Sequence, residues 1–155
     1  MAVPAIAAAL TVVALEAWRA RAPEAPLFST PFAYSMAEAI ERDDVARAFA
    51  YIRAGQDPNT PIPVRHPTLT DDRQVLLAPI LWAVTADARQ SVRMLLGYGA
   101  RFDPATEHAA VCIARAFESE SMIELLDRIH PAHPAEPCPA VRGRGEMVLA
   151  FAATP

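Results

Sequence analysis

Four residues near the C-terminus have the types that bind metal: His130, His133, Glu136 and Cys138. Imidazole, carboxylate and thiolate donors suit zinc, but a zinc site usually gathers four donors from two spaced pairs. Here Pro131, Pro134, Pro137 and Pro139 interleave the donors and no second pair exists. The stretch reads as a solvated loop, with no metal site. His66 lies in a proline-rich loop and His108 at the start of a helical segment, both in keeping with surface or capping roles. Cys112 sits in an apolar run and reads as a small buried hydrophobe. The carboxylate pair Asp43-Asp44 precedes a helix, where side-chain oxygens cap exposed amides. Asp71-Asp72 falls in a loop. The five glycines form no phosphate-binding G-x-x-x-x-G-K pattern, and there is no nucleophile elbow. With no set of nucleophile, base and metal, the chain reads as a non-enzyme without catalytic residues or cofactor.

Composition narrows the class further. Of 155 residues, 53% are hydrophobic and 21% charged, enough apolar material for one domain with a core. The net charge is −4, whereas a nucleic-acid binder normally carries a basic excess. Two cysteines are too few for a disulfide scaffold or a four-cysteine zinc module, and a reducing compartment is the simpler expectation. All 14 basic residues are arginine and 33 residues are alanine, a bias that favours helix and resembles chains from GC-rich bacterial genomes.

Residues 1–22 begin with an apolar run, Met1 to Trp18, whose polar members are Thr11 and Glu16. Arg19 and Arg21 follow. Three readings compete for this N-terminal helix: a span anchoring the chain to the inner membrane with the domain in the cytoplasm, a helix packed on the domain, and a cleaved signal peptide. The run is slightly short for a span, and lacks positive charge before it and a clear cleavage site after it. The flanking arginines favour the anchor. Residues 23–31 are a Pro-rich linker.

The elements that would position a site come in pairs. Met36 to Glu41 is followed by Val45 to Ala54, in which Val45, Ala48, Phe49 and Ile52 mark one helix face. Ile80 to Thr85 precedes Gln90 to Tyr98, striped by Val92, Leu95 and Leu96, with Gly99 as a left-handed stop. Glu107 to Phe117 precedes Ser121 to Ile129, striped by Met122, Leu125, Leu126 and Ile129, with Ser119 or Ser121 as cap. No segment alternates convincingly with period two; Met147 to Phe151 is the best strand candidate.

The pairs repeat. Ala39 to Ala83, Ile52 to Leu96, Gly55 to Gly99 and Asn59 to Asp103 are each 44 residues apart, and Ala83 to Ala114 is 31. At these positions the chain resembles the ankyrin-repeat family. Ala78-Pro79-Ile80-Leu81-Trp82-Ala83-Val84 is similar to the ankyrin T-P-L-H-x-A-A signature, and Val92, Leu95-Leu96 and Gly99-Ala100 follow at the family's spacing. Repeats of this family run about 33 residues, so about eleven are inserted between the first two copies. The resemblance implies an all-α helical solenoid of about three repeats over residues 32–130 (32–59, 76–104 and 105–130), with an inserted loop at 60–75, where the family places its β-hairpin finger. Residues 131–155 form a Pro-rich tail, in which 145–153 resembles the start of a truncated capping repeat that would be helical.

By resemblance, such a chain binds another protein through its inner helices and finger tips. The expected partner-binding residues are Trp82, Thr85, Arg101 and Phe102, with Ile62, Val64, Arg65 and His66 of the inserted loop. Trp82 would be the anchor, with packing against a neighbouring repeat as the competing role. The partner's identity is not encoded, and oligomeric state is open. The alternative is a small structural subunit whose N-terminal helix and repeat ends are buried in a larger assembly.

Overall fold

The computed structural model describes residues 35–131 and 137–152. The N-terminal helix, the linker, His133, Glu136 and the last three residues lie outside them. The described residues are mostly helical, 54% helix and 7% strand. The helices are α1 (Met36–Glu41), α2 (Val45–Arg53), α3 (Pro79–Thr85), α4 (Arg89–Gly97), α5 (Pro104–Ala116), α6 (Glu120–Ile129) and α7 (Arg144–Ala150). Between α2 and α3 lie strands β1 (Ile62–Arg65) and β2 (Gln74–Leu77). Among the described residues no helix is long and apolar enough to cross a membrane.

Local chemistry starts the helices where the sequence suggests. Ser35 and Glu38 form a capping box at α1, with the Ser35 amide donating to Glu38 Oε2 at 2.7 Å. Asp44, Asp103 and Ser119 accept from Arg47, Thr106 and Met122 amides at the starts of α2, α5 and α6. Pro79 and Pro104 occupy first-turn positions, where a missing N–H costs nothing.

The helices form two rows. α1, α3, α5 and α7 pack in that order, and α2 packs beside α4; each of α1, α3 and α5 also packs against the helix that follows it. The positions spaced 44 and 31 apart play the same parts. Ala39, Ala83 and Ala114 are all 0% exposed, on the inner helices α1, α3 and α5. Ala48, Val92 and Met122 are likewise sealed, on α2, α4 and α6. Gly55 and Gly99 have φ of +99° and +89°, the left-handed stop that glycine adopts without strain.

The turn within each pair also repeats. Asp43, Asp87 and Glu118 have φ of 49°, 53° and 55°. Asp43 reaches across to the next pair, where Oδ1 accepts from the Ser91 amide and hydroxyl at 2.8 Å each. Asp87 accepts from the Ser119 hydroxyl at 2.7 Å. At the other end of the pairs, the Asn59 amide group donates to the Gly99 carbonyl at 3.0 Å, and the Arg101 amide donates to Asn59 Oδ1 at 2.6 Å. Polar bonds thus tie neighbouring pairs at both edges.

The structure departs from the expected all-α chain at residues 60–75. That segment holds an antiparallel hairpin with Ile62 opposite Leu77 and Val64 opposite Val75. These four side chains are buried while Pro63, Arg65 and Gln74 face out, which is period-two alternation. Pro63 lacks a ladder donor, and a two-stranded edge tolerates that. The tail, by contrast, is helical, and α7 packs on α5 with Met147 and Val148 buried.

Candidate functional site

The expected lip of binding residues is not assembled. Trp82 is 1% exposed, and its indole N–H donates to the Ala37 carbonyl at 2.9 Å. It belongs to the core between α1 and α3, because an indole this large fills the gap and finds a backbone partner there. Thr85 is buried too, with its hydroxyl donating to the Leu81 carbonyl one turn back. Ile62 and Val64 are 2% and 1% exposed, since the hairpin turns its apolar face inward. Ile62 and Val64 are corrected from partner-binding to core, Trp82 takes its competing role of packing on a neighbouring helix pair, and Thr85, though buried, also lines the wider groove described below.

Arg65 remains exposed but is engaged by Asp72 through two bonds of 2.9 and 2.8 Å. The pair lowers the Asp72 carboxyl below its ordinary value and raises the Arg65 guanidinium. His66 is half-buried, and its Nδ1 accepts from the Thr68 and Leu69 amides. The loop it opens folds around Thr70, which is fully buried, accepts from the His66 amide and donates to the Arg73 carbonyl at 2.6 Å. This loop is braced from within rather than held out for a ligand. His66 also meets the Trp82 ring edge-on at 6.2 Å.

Arg101 and Phe102 stand at the edge where the pairs meet. Arg101 is exposed, and Phe102 is half-buried against His130, ring centres 5.9 Å apart. Next to them a cavity of about 180 Å³ is lined by Pro58, Asn59, Ala78, Ile80, Arg101, Asp103 and Thr106. Amide donors govern the charges here. The Asn59 backbone and side chain hold the Asp57 carboxyl below its ordinary value, and the Thr106 backbone and side chain do the same for Asp103.

A wider groove lies at the opposite ends of the helices, about 830 Å³ in volume. Asp87, Glu118, Glu120 and Glu124 line it together with Phe117, Ser119, Ser121, Val84 and Thr85. The Arg144 guanidinium sits 5.4 Å from the centre of the Phe117 ring. None of the groove's charged lining was singled out from the sequence. The signal was there, in three acidic turn residues at repeat-equivalent positions.

The cysteines are the second correction. Cys112 is not a free buried hydrophobe; it is bonded to Cys138, with Cα atoms 5.4 Å apart. The bond joins α5 to the tail just before α7, and it removes Cys138 from any ligand set. Such bonds persist in oxidising compartments, and where they occur in reducing ones they usually serve redox sensing. The bond therefore fits either an oxidising compartment or a redox role in a reducing one. Among the described residues no group of three or more His, Cys, Asp or Glu could hold a metal ion.

No family model matches the chain, and no curated protein and no solved structure matches it either.

Proposed function

We propose that this chain is a non-enzymatic protein-binding module: a short ankyrin-like solenoid of about three repeats with a partial C-terminal capping repeat. Support for the repeat reading comes from Ala39/Ala83/Ala114, Gly55/Gly99 and Asp43/Asp87, which keep the same burial, backbone angle or cross-pair bond at the repeat spacing. The observation that carries the module over the structural subunit is the surface. A subunit made to be buried at its repeat ends should expose apolar faces. Among the described residues the large hydrophobic side chain left exposed is Tyr98, at 52%.

The binding face moves with the corrections. Trp82, Ile62 and Val64 leave it, while Thr85 stays as part of the groove's lining. Arg101, Phe102 and the cavity beside them make one candidate face, and the groove between Asp87 and Glu124 makes the other. An inner-membrane tether through residues 1–22 stays part of the reading. The Cys112–Cys138 bond favours an oxidising surrounding, whereas Arg19 and Arg21 favour a cytoplasmic domain. Carbonate extraction with protease protection of intact cells decides tether and side together.

Affinity capture with the full chain, followed by calorimetry on the captured protein, tests the module. Phe102→Ala with Arg101→Ala should weaken binding by tenfold or more if the first face is used. Glu120→Ala with Glu124→Ala should do so if the groove is used. Binding that neither pair of changes disturbs, or a chain recovered only as a fixed part of one large complex, overturns the reading.

A further inference from the structure

We infer that the Cys112–Cys138 bond is a thiol-exchange site that latches the C-terminal helix onto the helical stack, its substrate being an external dithiol. The inference stands on how little else holds the latched segment. α7 is seven residues long and starts at Gly143 without a side-chain cap. It seals only Met147 and Val148, with Val141, Leu149, Phe151 and Ala152 of the same segment packed part-buried against the core. Yet residues 137–152 must be ordered to dock it, and ordering a chain costs entropy at every residue. The bond lowers that cost by tying the segment to α5, 26 residues away in sequence. The stack under it has no such need, because α3 and α5 are buried along most of their length.

The bond is also placed for exchange. Cys112 is 1% exposed, whereas Cys138 is only partly buried, so an incoming thiolate meets Cys138 first. Beside Cys112 lies the imidazole of His108, one turn earlier on α5, with its two ring nitrogens 3.9 and 3.7 Å from Sγ. A neighbouring imidazole stabilises a departing thiolate. One thiolate of the dithiol attacks Cys138 Sγ. The Cys138–Cys112 bond breaks, and its electron pair goes to Cys112 Sγ, which takes its proton through His108. The second thiol of the reductant, deprotonated, then attacks its own sulfur in the mixed disulfide. Cys138 leaves as a thiolate and is protonated. The protein gains two thiols, and the dithiol becomes a disulfide.

Release has a second consequence. Gly145 lies so close to the hairpin loop that a Cβ there would come within 3.0 Å of the Thr68 carbonyl oxygen and 3.2 Å of that of Leu69. The docked α7 therefore also presses on residues 68–69, and undocking frees both the α5 surface under α7 and one side of the hairpin loop.

Hydrogen exchange of the full chain, with and without a dithiol reductant, tests the latch, with mass spectrometry counting the thiols. In the oxidised protein no free thiol is expected. Reduction should speed exchange of the 144–150 amides on the order of 100-fold, the size expected when a loop of this length is no longer closed. The amides of α3 and α4 should keep their protection. Cys112→Ser with Cys138→Ser should reproduce that pattern without reductant. His108→Phe, which keeps an aromatic ring against Phe151, should slow reduction, followed by thiol trapping, without changing the exchange of the oxidised chain. Unchanged protection of α7 after reduction overturns the latch. So does loss of protection throughout the stack, which would make the bond a general staple, or free thiols in the protein as isolated under oxidising conditions.

Discussion

Helices α3 and α7 are both seven residues long and both stand in the inner row, yet α3 buries every residue and α7 buries two. Their sequences are not the whole cause. Ile80-Leu81-Trp82-Ala83-Val84 and Met147-Val148-Leu149-Ala150-Phe151 are similarly apolar. Position in the row makes the difference. α3 has α1 on one side, α5 on the other and α4 behind it, whereas α7 packs chiefly on α5. Burial in a stacked structure is thus conferred by neighbours more than by composition, and the end member leans on something else. Here that is a covalent bond.

The largest effect should come from the sandwiched helix. Trp82→Ala removes a sealed indole and leaves the Ala37 carbonyl without its donor. Such changes cost about 3–5 kcal/mol, a large share of the roughly 5–15 kcal/mol a domain of this size holds. The variant should melt far lower or fail to fold by circular dichroism. Val148→Ala removes a side chain just as fully buried, worth about 1.5–3 kcal/mol, but at the end of the row. It should loosen α7 in hydrogen exchange while the main melting transition barely moves. If Val148→Ala lowers that transition as much as Trp82→Ala does, the two regions are one cooperative unit and the contrast collapses.

A pair of adjacent leucines sharpens the comparison within the middle helices. Leu95 is 0% exposed and Leu96 is half-buried. Leu95→Ala should cost about 2–5 kcal/mol, and Leu96→Ala roughly half of that or less. Urea denaturation of both variants reads the difference directly. Equal losses would mean that α4 is rotated from the orientation described.

Those leucines also show what the sequence could and could not disclose. The helical stripe Val92, Leu95, Leu96 located the face but not which leucine lies at its centre, because a hundred degrees of turn separates neighbours on a broad apolar arc. The helix pairs, the caps at Asp44 and Ser119 and the glycine stops were legible, since each rests on chemistry within a few residues; the helical tail followed only from its resemblance to the start of a repeat. The hairpin was legible only in its place, through the resemblance, and not in its strands. Its alternation spans only Ile62 to Arg65 and Gln74 to Leu77, and Pro61, Pro63 and Pro67 drew attention to chain breaking instead. Trp82 was left between two roles, anchor and packing on a neighbouring repeat, for a related reason. Its slot exposes a side chain only if nothing lies over it, and the α1 carbonyl and the loop at His66 both do. The disulfide depends on where the tail returns to α5, which no local pattern records.

The smallest effects belong to exposed carboxylates, and they separate two kinds of surface bond. Asp57 and Asp103 are held below the ordinary carboxylate value of 3.8 mainly by backbone amides, Asp72 by the Arg65 guanidinium. In each case the folded chain gives up its proton more readily than the unfolded chain. Between the folded value and 3.8 the unfolded state therefore binds more protons. The stability these groups contribute is complete above the ordinary value and is lost as pH falls through the folded one. Urea midpoints should be flat from about pH 6 to pH 5 and decline below about pH 4. Asp103→Ala should lower the plateau slightly and flatten the decline, because the capping bond to Thr106 is gone at every pH. Added salt should also diminish the share from Asp72, whose partner is a full charge, and leave the shares from Asp57 and Asp103, which rest on short amide bonds, nearly intact. A decline that salt abolishes entirely would mean that the amide bonds to Asp57 and Asp103 add nothing, and that the Arg65–Asp72 pair alone carries the pH dependence.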